Sequence, residues 1–215
     1  MSMNRRIVFL CGEEEGKAFR EHARSLAPDL ETLWVSDAEG LEIATSCGAE
    51  RTRLISFLTE VIVPQSILER LGPTPYNIHP GSPDYPGAHG LSFAIFEGAR
   101  KFGVTAHEMT ARVDTGAIVI ADLFDLPVDA EALRFGDEVY ARAVSVIDRV
   151  IRHCVATDLP MRRSGDHWSA RQCTKRRLEA LLTSSAHLLP TDIARLERAL
   201  GPERAQALGD KRKHG

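Results

Sequence analysis

The sequence predicts an α/β fold with a mostly parallel, twisted sheet and helices on both faces. Three observations predict it. Short apolar runs at Arg6–Leu10 and Thr32–Val35 enclose a helical pattern at Lys17–Leu26, and strand, helix, strand is how a parallel sheet begins. Further strand-like runs follow at Leu54–Leu58, around Asn77 and His79, at Thr105–Met109 and at Ile118–Phe124. Ala132–Cys154 then repeats Val139, Ala143, Val146, Ile147, Val150 and Cys154 at helical spacing, giving a long helix one apolar face to pack across a sheet.

Each element has a local reason. Arg6–Leu10 is an apolar run closed by Cys11-Gly12. Phe19, His22, Ala23 and Leu26 share one face of the first helix. The turn between them reads Gly12-Glu13-Glu14-Glu15-Gly16, with neither GxGxxG nor a P-loop. Its three glutamates would repel a phosphate from a helix N-terminus that otherwise attracts anions, which excludes dinucleotide binding by this loop. Val61-Ile62-Val63-Pro64 is an apolar connection, Ser66–Leu71 a helical turn, and Gly72-Pro73 its stop. Period two puts Asn77 and His79 on one face of a strand and Ile78 on the other. A loop crowded with Pro and Gly follows, then a helix at Ser92–Ala99. The turn Val113-Asp114-Thr115-Gly116 joins two strands so briefly that they must be antiparallel or sharply bent. Arg176–Leu182 and Asp192–Leu200 read as short surface helices, and 210–215 as a frayed tail.

Composition bounds the function. The 215 residues are 43% hydrophobic and 27% charged, a globular balance. The expected division is a catalytic domain over 1–160 and a C-terminal appendage over 161–215. A net charge of −3 speaks against nucleic acid or a membrane surface as partner. Cys11, Cys47, Cys154 and Cys173 form no CxxC and read as reduced thiols. The apolar run after the basic start is too short for a signal peptide, and no stretch is long enough to span a membrane, so a cytoplasmic protein is expected.

The chemistry concentrates between Pro75 and Gly116. Asn77 can donate from its amide, His79 can carry a proton near neutral pH, and Asp114 can hold an imidazolium or a water. Together they suit acyl transfer: an oxyanion donor, a proton shuttle and an orienting carboxylate. No Ser or Cys stands out as a paired nucleophile, so attack by the substrate's own nucleophile is the simpler scheme. The competing reading is that Asn77 and His79 only satisfy backbone groups in a turn. His89, beside Gly90, reads as a loop or cap residue, and His107 as a hydrogen-bonded structural histidine. No HExxH or paired His/Cys spacing marks a metal site, and no metal is expected.

At these residues the sequence resembles the formyltransferase family that uses 10-formyltetrahydrofolate. The family pattern is Asn-x-His, a Pro/Gly loop, then His and an Asp seven residues on in an Asp-x-Gly turn. The matching residues are Asn77, His79, His107, Asp114 and Gly116. The resemblance extends weakly back through SFLTEVIVPQSIL and forward into ALRFGDEVYARAVSVIDRVI. It implies a Rossmann-like fold and direct attack of an acceptor amine on the formyl carbon through a tetrahedral intermediate. Asn77 would stabilise the oxyanion, His79 would move the proton, and Asp114 would orient His79 or a water. The folate cosubstrate would lie against Phe57, Glu60, Ile62 and Ile67 on one side and Met109, Thr110, Arg112, Val113 and Asp114 on the other. Glu60 would contribute its backbone, with its side chain toward water.

Departures from the pattern narrow the acceptor. The loop Gly81–Gly87 is one residue shorter than the family's Ser-Leu-Leu-Pro loop. The acidic first turn argues against glycinamide ribonucleotide. The expected length leaves no room for the β-barrel domain of the initiator-tRNA branch, and the charge lacks the basic excess that tRNA favours. By elimination the expected acceptor is a small amine, such as an amino sugar on a nucleotide. Two other functions stay open: hydrolysis of the formyl folate, and folate binding without turnover. A homodimer is open too, because the tail can cover the domain's own edge or a partner's.

Overall fold

The computed structural model describes residues 5–183 and 189–201. Six strands, β1 (Arg6–Leu10), β2 (Glu31–Val35), β3 (Thr52–Phe57), β4 (Tyr76–His79), β5 (Lys101–Glu108) and β6 (Ile118–Asp125), form one sheet in the order β2-β1-β3-β4-β5-β6. β1 pairs in parallel with β2 and β3, and β3 with β4, whereas β4 and β5 run antiparallel. At one end of β5 and β6 Glu108 N–H bonds Ala117 O, and at the other Leu126 N–H bonds Arg100 O, so this pair is antiparallel too. The sheet is therefore mixed and Rossmann-like. Among the described residues seven α-helices accompany it: α1 (Glu13–Leu26), α2 (Ala38–Thr45), α3 (Gln65–Leu68), α4 (Gly90–Glu97), α5 (Ala132–Ala156), α6 (Lys175–Thr183) and α7 (Pro190–Leu200).

The packing separates two compact units that interleave along the chain. The first comprises Met1–His79, Thr105–Ala121 and Ala143–His167; the second comprises Pro80–Val104, Asp122–Arg142 and Trp168–Gly215. In the first unit the strand alternation sorts the core onto two faces. Val8, Leu10 and Leu54 meet Leu41 of α2 and Ile67 of α3 on one face. Phe9 and Phe57 meet Phe19 of α1 on the other, with ring centroids 5.9 and 5.0 Å apart. His22 of α1 contacts Asp148 of α5 at 2.6 Å, so both helices cover that second face. In the second unit Phe102, Phe124, Tyr85 and Phe135 form an aromatic cluster.

The strand and helix expectations hold with ends shifted by a few residues: β5 starts early at Lys101, whereas β3, α3 and α4 stop at Phe57, Leu68 and Glu97, short of the expected Leu58, Leu71 and Ala99. Two elements have no counterpart in the sequence reading. α2 and a 3-10 turn at Ala49–Arg51 fill the stretch between β2 and β3. α2 is eight residues long and its large buried side chain is Leu41, too few apolar positions to announce a period. Its signal is the N-cap: Asp37 accepts from Gly40 N–H at 2.7 Å. In the first turn of α1 the Trp34 ring lies so close over Gly16 that a Cβ there would stand 2.0 Å from it. The space against this turn is filled by an indole, whose Nε1 donates to Cys11 O at 3.0 Å. Among the described residues no helix is long and apolar enough to cross a membrane. The 210–215 tail lies outside the described residues.

Candidate active site

β4 places the site. Tyr76 and Ile78 turn into the core at 0% and 1% exposure, which directs Asn77 and His79 to the opposite face. Asn77 stands directly across from His107 on β5, and His79 across from Thr105. β5 leads into the 109–116 turn that carries Asp114. Asp114 adopts φ 51°, a left-handed conformation that aspartate tolerates better than most residues. Hydroxyls knit this turn. Thr110 and Thr115 both donate to Arg112 O, at 2.9 and 2.8 Å, and their Oγ1 atoms lie 2.9 Å apart.

Four polar side chains converge in the first unit. Asn77 Nδ2 lies 3.1 Å from His107 Nε2, and His107 Nδ1 lies 2.8 Å from Glu108 O. A carbonyl only accepts, so Nδ1 carries a proton; in the neutral ring Nε2 then accepts from Asn77. The amide is thereby oriented with Nδ2 on the imidazole, and it retains a second N–H. Asp114 Oδ1 sits 3.5 Å from His79 Nδ1 and 3.6 Å from His107 Nε2. His79, His107 and Asp114 are all buried. A buried carboxylate between two imidazoles is an arrangement that can hold and hand on a proton.

The residues expected to hold a cofactor divide by exposure. Phe57 and Ile67 are each 1% exposed and belong to the core. Met109 packs partly against the Val63–Ile67 cluster. Glu60, Ile62, Thr110, Arg112 and Val113 face outward, with Ile62 and Val113 at 66% and 54% exposure. Leu58, inside the expected folate segment 57–67 but read as the last residue of a strand, joins them. It is exposed and adopts φ 48° at the end of β3, where the β3–β4 ladder stops at Phe57 and Ile78. Leu58 and Asp114 are the two non-glycine residues with positive φ among the described ones, and left-handed backbone of this kind concentrates at functional sites. Nothing in a leucine codon marks that conformation, so the sequence carried no signal for it. His107 is hydrogen-bonded as expected, but its partner Asn77 gives it a second role that spacing alone does not reveal.

Among the described residues no three His, Cys, Asp or Glu side chains are grouped as metal ligands. Within the second unit, Ile95, Arg100, Leu126, Val128 and Arg195 among others line a cavity of about 270 Å³.

Comparison with known proteins matches the formyl transferase family model over residues 42–147, a span that includes all four polar side chains. Among curated relatives, methionyl-tRNA formyltransferase of Rickettsia bellii is 32% identical over 98 residues, covering 42% of this chain and 32% of that protein. The Chlorobium limicola enzyme of the same name is 24% identical over 133 residues, covering 60% and 41%. The chain thus spans about a third to two-fifths of the length of these relatives. Solved structures share the fold at low identity. A candidate sugar N-formyltransferase from Mycobacterium tuberculosis superposes with a TM-score of 0.71 at 16% identity, covering 92% of this chain and 88% of that one. An N-formyltransferase from Helicobacter canadensis, in complex with folinic acid and dTDP-3-aminofucose, gives 0.64 at 13% identity, covering 94% and 82%. HypX from Aquifex aeolicus, in complex with tetrahydrofolic acid, gives 0.59 at 18% identity, covering 94% and 35%.

Proposed function

From a chain whose residues 42–147 belong to the formyl transferase family, we propose an enzyme that moves a formyl group from 10-formyltetrahydrofolate to the amine of a small acceptor, such as an amino-sugar nucleotide. The observation that carries this reading is the cluster of Asn77, His107, Asp114 and His79 within that segment. The folate supplies an activated formyl carbon. Exposed Leu58, Ile62 and Val113 offer apolar surface for its flat ring, and the hydroxyl-rich Thr110–Thr115 turn offers polar edges. Phe57, Ile67 and Met109 back these contacts from the core side.

The residues then divide the work. The acceptor nitrogen forms the new C–N bond as the bond from the formyl carbon to the folate nitrogen breaks. Asn77 donates its second N–H to the formyl oxygen as charge grows there. His79 takes the proton that leaves the acceptor amine and can return one to the departing folate nitrogen. Asp114, beside the His79 ring, holds it in register. His107 keeps the Asn77 amide turned the right way. No step requires a metal, so chelator should leave the rate unchanged.

The test is an assay with 10-formyltetrahydrofolate and dTDP-3-aminofucose. Formylated sugar nucleotide and tetrahydrofolate should appear in equal amounts. Formate released at the same rate without acceptor would make the protein a hydrolase. Formyl transfer to methionyl-tRNA and not to the sugar would assign it to the other branch. Folinic acid binding without any product would leave a folate-binding protein.

A further inference from the structure

Within the first unit, a stretch of irregular chain beyond α5 is laced across the end of β5. Met161 N–H donates to Tyr76 Oη on β4 at 2.7 Å. Arg163 grips Glu108 on β5 with two bonds, Nε to Oε1 at 3.1 Å and Nη2 to Oε2 at 2.9 Å, the fork that a guanidinium offers a carboxylate. Ser164 donates to Ile118 O on β6, from its N–H at 2.9 Å and from its hydroxyl at 3.2 Å. Residues 161–164 thus tie three neighbouring strands together, at the point where Tyr76 and Glu108 are the end pair of the β4–β5 ladder.

Glu108 matters because its carbonyl reaches the candidate active site. It accepts the His107 Nδ1 proton at 2.8 Å, which leaves Nε2 to accept from Asn77. The peptide group that carries this carbonyl is held on its other edge by Met109 N–H, which donates to Pro75 O at 2.9 Å. Glu108 N–H donates to Ala117 O, also at 2.9 Å. Backbone bonds therefore fix the strand end in two directions, and the Arg163 fork holds it by its side chain in a third. Such a hold counts where a strand gives way to a turn, because the ends of elements open more readily than their middles. The Glu108 side chain is 16% exposed and that of Arg163 67%, so truncating the arginine opens no cavity.

We propose that residues 161–164 are a clasp on the end of β5, and that Arg163 is a positioning residue that fixes the His107 tautomer through the Glu108 carbonyl. The proposal rests on the formyl transfer reading above. His107 presents a bare Nε2 to Asn77 only while its Nδ1 proton stays on Glu108 O. If that carbonyl drifts, the other tautomer becomes accessible, and a protonated Nε2 turns the Asn77 amide round, carbonyl toward the ring. The oxyanion donor is then lost without any change in the residues that would meet folate or acceptor. Loosening the clasp should therefore lower turnover and spare binding.

The experiment uses the full chain, with histidine nitrogens isotope-labelled, as wild type, Arg163→Ala, Arg163→Lys and Arg163→Ala with Glu108→Gln. Ion pairs with one exposed partner contribute little to global stability, so the variants should fold. At about pH 8, where an ordinary imidazole is neutral, wild-type His107 should show a protonated Nδ1 and a bare Nε2 by NMR. In Arg163→Ala the two nitrogen signals should converge as the second tautomer gains population. With dTDP-3-aminofucose as acceptor its kcat should fall severalfold, while acceptor KM and folinic acid Kd stay within about twofold. Arg163→Lys keeps the charge but not the fork, so it should fall between. The double variant should lose no more kcat than Arg163→Ala, because both changes break one contact. An unchanged His107 spectrum in Arg163→Ala overturns the clasp. A changed spectrum with kcat preserved, or with KM and Kd rising as kcat falls, overturns the positioning role. A wild-type protein that transfers nothing to the sugar nucleotide counts against the parent reading; the clasp then stands or falls on the His107 spectrum, which needs no turnover.

Discussion

At the scale of single residues, the reading depends on Asn77 more than on any other side chain. A donor aimed at an oxygen that gains charge strengthens in the transition state and not in the ground state. Asn77→Asp keeps the shape but puts an acceptor where the donor is needed. It should lower kcat by about 10²–10³, roughly 3–4 kcal/mol, with folinic acid affinity and melting temperature little changed. If Asn77 only pins β4, a well-folded variant will keep most of its kcat. Asp114→Asn removes the charge beside His79 while keeping a residue that tolerates φ 51°. Its kcat should fall sharply and its folate affinity much less; equal loss of both would make Asp114 a pocket residue instead. Asn77, His79 and Asp114 were singled out beforehand because few residue types can do the chemistry proposed for them, and the fold brings them together. His107 was legible only as a structural histidine, because its role comes from a cross-strand register that the sequence does not display. Leu58 lay within the segment expected to line the folate pocket, but its conformation was not legible, since leucine has no preference for the left-handed backbone it adopts.

At the scale of elements, the Asp114 turn shows how backbone geometry reaches the chemistry. A Cβ on Gly116 would lie 1.7 Å from Glu108 O, the carbonyl that accepts the His107 Nδ1 proton. Gly116→Ala must push that carbonyl away, loosening His107 and, through it, the Asn77 amide. The variant should lose more activity than stability accounts for: kcat down at least tenfold in protein that still binds folinic acid, with a lower melting temperature. A drop in melting temperature with kcat preserved would detach His107 from the mechanism. Elements with a strong period were read correctly from sequence, as in α1, α5 and the buried strands. α2 was missed because a two-turn helix held by an Asp37 cap and one buried leucine has almost no periodic signal. The parallel-to-antiparallel change between β4 and β5 was only half legible: the brief Asp114 turn required reversal of β5 and β6, but nothing local fixes how β5 lies on β4.

At the scale of the whole molecule, buried thiols and tyrosine hydroxyls shape how the fold responds to alkaline pH. Among the described residues burial raises the Tyr76 hydroxyl. Burial pushes the thiols of Cys11 and Cys154 up to about 12, with Glu15 adding to the first and Arg53 opposing the second. Burial raises Cys173 to about 11, and burial with Glu97 raises the Tyr85 hydroxyl to about 12. In the unfolded chain these groups titrate near about 8.5 for thiols and about 10 for tyrosine. The folded protein therefore keeps protons that the unfolded chain releases. Stability is fully present below about pH 8.5, and it is lost as pH rises through the window up to the folded values. Each thiol contributes a slope of about 1.4 kcal/mol per pH unit inside that window. Urea unfolding in reducing buffer at pH 7.5, 9 and 10.5 should show a loss of about 2 kcal/mol over the first interval and a loss roughly two- to threefold larger over the second. Cys154→Ala removes one titrating group, so its stability should fall less steeply with pH even though the variant starts lower for lack of the buried sulfur. Stability that stayed flat from pH 9 to 10.5 would mean that these thiols ionise in the folded chain, and that the core around them admits water.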